Sequence, residues 1–179
     1  MSRARKDDGG PPPLRSDTHP LGIPGLQGAQ LRKVQQANRL VTVTALGLEL
    51  AHSCGAASVL ENPHRSRLWE LPRLLAALQR IGADSVFLDY CCWGERWQKR
   101  TRLAGTLRGL RSLQRVCAAR WTEVCSVSGL RHISLVGKDA SGVFRTLGAQ
   151  PYPHALCDDI AALVSAGLDA GTALHNPAS

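Results

Sequence analysis

The 179 residues suffice for one domain with a packed core and leave little room for two. Hydrophobic residues at 44% and charged residues at 20% exclude a disordered composition. Lys+Arg of 22 against Asp+Glu of 14 gives a formal charge of +8, which points to a polyanionic partner such as nucleic acid or an anionic surface, although many basic globular proteins bind neither.

Residues 1–27 are rich in Pro, Gly and Arg. Gly9-Gly10-Pro11-Pro12-Pro13 and then Pro20, Gly22, Pro24 and Gly25 forbid regular structure. The segment reads either as a disordered basic tail or as a loop laid over a site and anchored by Leu14, Leu21, Ile23 and Leu26. The charged start Met1-Ser2-Arg3-Ala4-Arg5-Lys6 lacks the apolar core of a signal peptide, and no apolar run is long enough to cross a bilayer. An intracellular protein without membrane association is therefore expected, in nucleus or cytoplasm, with its thiols reduced. Its six cysteines, Cys54, Cys91, Cys92, Cys117, Cys125 and Cys157, read first as small buried hydrophobes.

From Gly28 to about His52, Leu31, Val34, Ala37, Val41, Ala45 and Leu48 recur at helical spacing. This outweighs the short β-branched run Thr42-Val43-Thr44, and Gly55 supplies a C-cap. Val59 and Leu60 suit a buried strand over 58–62, which Pro63 must stop. Glu61 and Asn62 then stand at its carboxyl end, where open α/β sheets bind ligands; the plain alternative is a polar turn. Leu68, Leu71, Leu74, Leu75 and Leu78 predict a helix over 66–80, with Pro72 marking either its interior or its true first turn. Residues 85–90 read as another buried strand. Helix, strand, helix, strand with short connections predicts a doubly wound α/β unit, its strands parallel through a right-handed crossover.

A third strand is predicted at 101–107. In extended chain Arg100, just before it, and Arg102 share one face and can grip a phosphate or a base edge, or else form a solvated basic edge. The segment 108–150 carries Arg108, Arg111, Arg115, Arg120 and Arg131, a pattern suited to phosphate contacts. Cys117, Cys125 and His132 are of metal-ligating type, with His154 or Cys157 as a fourth. Seven residues separate Cys117 from Cys125, so the tight knuckle of zinc sites is missing. The expectation is no metal, with buried thiols and a surface His132. Residues 130–146 read as a hairpin around Lys138-Asp139-Ala140-Ser141-Gly142. A last helix from Pro153 to Ala166 places Leu156, Ile160, Leu163 and Val164 on one face, with Asp158 and Asp159 in its N-terminal part, and the tail beyond Gly171 is expected to fray.

Glu61-Asn62-Pro63 at a strand end resembles the Glu-Asn-Val motif of cytosine-5 DNA methyltransferases, and Gln98-Lys99-Arg100-Thr101-Arg102 resembles that family's Gln-x-Arg-x-Arg motif. Tyr152-Pro153-His154-Ala155-Leu156-Cys157 resembles the segment where its final helix returns to the sheet. The likeness is to the C-terminal half of the catalytic domain, in a divergent branch. It implies an α/β fold: a truncated Rossmann-like methyltransferase sheet of about three core strands with flanking helices and a small basic β-hairpin region. The third strand would be antiparallel. The divisions would be a loop or tail at 1–27, a partial core at 28–107, a reduced target-recognition region at 108–150, a returning helix at 151–170 and a tail at 171–179.

The same resemblance implies roles. Glu61 would hydrogen-bond a flipped cytosine, with Asn62 shaping the turn and Arg100 and Arg102 contacting the base and backbone. Gln98, Lys99, Arg108, Arg111 and Arg131 would contact nucleic acid, with DNA as the family partner. A carboxyl that shares a proton with a ring nitrogen needs a raised pKa or a partly buried position. The family uses S-adenosylmethionine and a Pro-Cys nucleophile loop. No Pro-Cys dipeptide occurs here, and no glycine-rich strand-turn for the cofactor is recognisable. Cys91 and Cys92 follow the wrong strand for that nucleophile. The resemblance thus implies a chain that does not bind the cofactor or act alone and needs a complementing N-terminal half or self-association. The alternative is a non-catalytic nucleic-acid-binding protein.

Overall fold

The computed structural model describes residues 12–120 and 123–173. Helix α1 spans Gly28–Ser53, strand β1 Val59–Pro63, helix α2 Pro72–Arg80, strand β2 Asp84–Asp89, strand β3 Arg100–Gly105 and helix α3 His154–Ala173. Single helical turns lie at Arg67–Glu70, Tyr90–Trp93, Leu110–Leu113 and Arg145–Leu147. The class is mixed α/β, and no helix among the described residues is long and apolar enough to cross a membrane.

The sheet has three strands in the order β1-β3-β2, and both ladders are antiparallel. The helix–strand alternation predicts β1 and β2 as parallel partners. They do run in the same direction, but β3 enters between them and takes the hydrogen bonds of both. β1 is left as an open edge among the described residues. Gly105 ends β3 where the Ser58 carbonyl comes so close that an added Cβ would lie 1.9 Å from its oxygen. Thr106 then leaves the sheet, its amide donating to Ser58 O at 2.8 Å, so the strand stops short of the predicted Leu107.

Strand alternation sorts the core into two layers. Ala104 and the partly buried Leu60 face Val41, Leu48, Leu68, Leu71, Leu74 and Leu78 from α1, α2 and the turn before α2. Val86, Leu88 and Leu103 face Tyr90, Trp93, Leu110, Leu113 and Leu156 on the other side, where α3 packs. Pro72 stands at the first position of α2, and Ser66 caps the separate turn Arg67–Glu70. In α1 the Thr42 and Thr44 hydroxyls bond back to the carbonyls of Asn38 and Leu40, so the β-branched run stays helical.

α1 carries two apolar faces. Val34, Val41, Ala45 and Leu48 are buried, whereas Leu40, Val43, Leu46 and Leu50 lie exposed on the roughly opposite side at about 100° per residue. Arg73 forks onto Glu49 at 2.9 and 2.7 Å, and Arg80 joins it, clamping α1 to α2. Those guanidiniums hold Glu49 well below the ordinary carboxylate range, at about 2.

Three expected elements differ. The Pro/Gly-rich segment, from Pro12 onward, is an ordered loop laid on α1 rather than over a site. Buried Arg15 donates to Pro20 O and to Val34 O, Asn38 donates to Leu21 O, and Asp17 pairs with Arg67. The predicted hairpin at 130–146 reduces to isolated bridges, Lys138 with Phe144 and Val124 with Arg131. At the first, the Asp139 carboxylate takes the amides of Ser141 and Val143, and among the described residues only two backbone bonds flank the capped turn, Asp139 N to Val143 O at 2.9 Å and Arg145 N to Gly137 O at 3.2 Å. The final helix extends past the predicted Ala166 to Ala173.

Candidate nucleic-acid interface

Register decides which predicted site residues meet. Glu61 pairs with Leu103, and Asn62 pairs with Arg102. Cross-strand partners share a face, so Glu61 lies on the side of Thr101 and Leu103, while Asn62, Arg100 and Arg102 lie on the opposite side. The motif acid and the motif arginines therefore occupy adjacent strands but do not converge.

What does converge on Glu61 is a polar group from three elements. The Tyr152 hydroxyl donates to Glu61 Oε2 at 3.1 Å. Glu61 Oε1 is buried and has no hydrogen-bond partner among the described residues. Lys99, just before β3, lies 4.5 Å over the Tyr90 ring and donates to Ala149 O at 2.9 Å. Burial lowers its ammonium pKa, partly opposed by the Glu61 charge. The Tyr152 phenol is pushed up to about 12, first by burial and then by the neighbouring Glu61 charge. Tyr90 is pushed up for the same two reasons. Glu61 meets the partly buried condition for a base-reading carboxyl, and its side chain is aimed at phenols and an ammonium.

On the other face the arginines have structural partners. Arg102 lies 4.5 Å over the Trp69 ring and donates to Ser85 Oγ at 2.7 Å, and burial lowers its pKa. Arg100 forks onto the fully buried Asp89 at 2.9 and 2.7 Å and reaches Cys117 O at 3.3 Å. Gln98 donates to Asp89 at 3.2 Å and to Ala119 O at 2.8 Å. Asp89 also takes the Cys117 amide at 2.8 Å. The Gln98–Arg102 segment thus pins the 115–120 strap against the end of β2, where Asp89 N donates to Arg115 O.

Beside that anchor opens a cleft of about 750 Å³ lined by His64, Arg65, Gln98, Arg100 and Arg120. Burial first, and then the charges of Arg100, Arg65 and Arg102, lower the His64 pKa, partly opposed by Asp89. Arg108 and Arg111 are elsewhere: they follow Gly105, a strand length of about 17 Å from Arg100. Arg111 pairs with Asp84 there, and Arg108 lines a larger apolar recess of about 1060 Å³. Arg131 is exposed in the bridge to Val124.

Cys117, Cys125 and His132 come together in the 115–133 loop, and the fourth member of the group is Cys91, not His154 or Cys157. All four side chains are buried, so His132 is not the surface residue expected. Desolvation raises the Cys125 pKa, but hydrogen bonds from Ser128, Val127 and His132 outweigh it and bring the thiol down to about 6. Burial pushes the Cys91 thiol up.

Tyr152 and Cys91 are the residues the sequence motifs did not assign. Tyr152 opens the segment likened to the returning helix, and Cys91 sits in the Tyr90–Trp93 turn right after β2. No family model, curated protein or solved structure matches the chain.

Proposed function

We propose that the chain is a nucleic-acid-binding module that receives an unstacked base at Glu61, and that it is the C-terminal portion of a cytosine-5 DNA methyltransferase-like protein. The observation that carries the reading is the half-satisfied carboxylate. One oxygen accepts from Tyr152, and the other is buried without a donor among the described residues. Leaving such an acceptor unpaired costs about 1–3 kcal/mol, a cost that a ligand N–H would relieve. The Watson–Crick edge of cytosine presents an amino donor, and a base must leave the stack to offer it. Supporting the ancestry, Glu61-Asn62-Pro63 and Arg100-Thr101-Arg102 lie on paired strands, with β3 antiparallel to β1. The His64, Arg65 and Arg120 cleft suits phosphate, and the exposed Leu40, Val43 and Leu50 face of α1 suits a complementing half or a second copy.

S-adenosylmethionine does not fit the described residues. Its cradle is a strand running through a glycine-rich turn into a helix. Here β1 runs into Pro63 and the turn at Arg67–Glu70, and β2 runs into Tyr90–Trp93. No methyl-transfer step follows from this chain, and the reading is of binding alone.

A fluorescence anisotropy titration of a labelled single-stranded oligonucleotide at two salt concentrations tests it. With two or three phosphate contacts, log affinity should fall against log salt with a slope of about −1.4 to −2. Binding that is absent or insensitive to salt would overturn the proposal.

A further inference from the structure

We propose that Cys91, Cys117, Cys125 and His132 bind one zinc ion as a closed structural centre. The ligand atoms of these four residues all lie within 4.8 Å of one another, and all four side chains are buried. Cys117 Sγ stands 3.8 Å from Cys125 Sγ and 3.8 Å from His132 Nε2. A tetrahedral zinc with Zn–S of about 2.3 Å and Zn–N of about 2.0–2.1 Å requires S···S near 3.8 Å and S···N near 3.5 Å; the Cys117–Cys125 and Cys117–His132 pairs already stand within about 0.3 Å of that, and the widest pair has to close by at most about 1 Å.

The surroundings are those of a metal ligand set. His132 Nδ1 lies 3.1 Å from the Arg120 carbonyl oxygen. A carbonyl can only accept, so Nδ1 carries the proton and Nε2 turns its lone pair toward the thiols. This is the orientation that second-shell bonds impose on metal-bound histidines. Backbone amides point at two of the sulfurs: Ser126 N at Cys117 Sγ and Val127 N at Cys125 Sγ, each at 3.4 Å. Ser126 Oγ lies 3.2 Å from Cys117 Sγ. The turn that aims these amides closes through Gly129, whose N–H reaches Cys125 O at 3.0 Å with φ +68°. Three thiolates and one zinc leave a net charge of −1, and the amides of Ser126 and Val127 stabilise it at the sulfurs. Soft thiolates with one imidazole select zinc over the harder divalent ions. Four protein ligands fill the tetrahedron, so the ion would hold structure and not activate water.

The consequence is mechanical. Spacings of 25, 7 and 6 residues between successive ligands tie the Tyr90–Trp93 turn to both ends of the 117–132 loop. Cys117 and Arg120 of that loop also line the basic cleft, so the zinc would set the shape of the cleft wall.

The test is metal analysis of the full chain purified under reducing conditions, with cobalt substitution as a spectroscopic probe. One zinc per chain is expected, and the cobalt form should show the thiolate charge-transfer and d–d bands of a tetrahedral site. Cys92→Ser, Cys54→Ser and Cys157→Ser should keep full occupancy, and Cys91→Ser should lose it. Ser126→Ala should weaken zinc affinity about tenfold. Should Cys91→Ser fail to fold, His132→Cys decides: it should keep the ion and strengthen the cobalt–thiolate band. The proposal is overturned by a folded, metal-supplied protein without zinc or cobalt bands. A Cys117–Cys125 disulfide in the reduced-purified protein, or loss of metal in Cys92→Ser but not Cys91→Ser, would overturn it equally.

Discussion

Arg100→Met separates an anchoring role for this arginine from a ligand-binding one. Asp89 has no exposed surface and accepts four hydrogen bonds: two from Arg100, one from Gln98 and one from the Cys117 amide. Removing the guanidinium strands a buried carboxylate with two neutral donors, which should cost about 3–5 kcal/mol. The reverse change is milder. The Arg100 side chain is 40% exposed, so in Asp89→Asn water can reach the unpaired guanidinium, and the cost should be about 1–3 kcal/mol. The double variant should then be more stable than the sum of the single effects by about 1–3 kcal/mol. Urea unfolding followed by far-ultraviolet circular dichroism, with zinc present throughout, measures all three. A cost below about 1 kcal/mol for Arg100→Met with additive single effects would mark an ordinary surface ion pair. Arg100 would then be available to a ligand, and the anchoring role would fail.

Glu49, held at about 2 against an ordinary 4.5 by Arg73 and Arg80, contributes stability that is present above about pH 4.5 and is lost as pH falls toward 2. Acid unfolding of Glu49→Gln should be less steep than wild type in that window, and identical curves would remove the clamp from the account. Tyr152 should ionise near 12 in an ultraviolet difference titration, and Glu61→Gln should bring it part of the way back toward 10, since burial persists without the charge. An unmoved titration would break the Glu61–Tyr152 pair. Replacing Leu40, Val43 and Leu50 together by Gln should lower self-association in sedimentation with stability within about 1 kcal/mol of wild type, because all three are exposed. A large loss of stability would place that face in the core.

Local pattern carried further than pairing did. The Val34, Val41, Ala45 and Leu48 stripe names its own helix, because burial on one side imposes a 3.6-residue period. Val59-Leu60 and Val86-Phe87-Leu88 name strands by composition, and Pro63 fixes where the first must end. Register is a different kind of information. That Glu61 faces away from Arg100 and Arg102 follows from β3 inserting between β1 and β2 with Leu103 opposite Glu61, and no residue in either strand announces that partner. The fourth member of the cysteine group, Cys91, was hidden for a similar reason. Cys91 and Cys117 meet because Leu88 bridges Arg115 and Asp89 captures the Cys117 amide, a closure made by a buried carboxylate and not by a short ligand spacing. The predicted hairpin is cut down to its turn: the flanking backbone bonds among the described residues join only Asp139 to Val143 and Arg145 to Gly137, and the Asp139 carboxylate takes the amides of Ser141 and Val143.

The most direct measurement of the base-reading role compares two oligonucleotides, identical except for one unpaired cytosine or uracil, bound to wild type and to Glu61→Gln. Cytosine offers an amino donor to the carboxylate where uracil offers a carbonyl, a difference worth about 1–3 kcal/mol. Wild type should therefore prefer the cytosine probe by about tenfold or more, and Glu61→Gln should abolish or invert that preference while leaving the salt dependence unchanged. Equal affinity of wild type for both probes, or a cytosine preference that survives Glu61→Gln, would contradict the account.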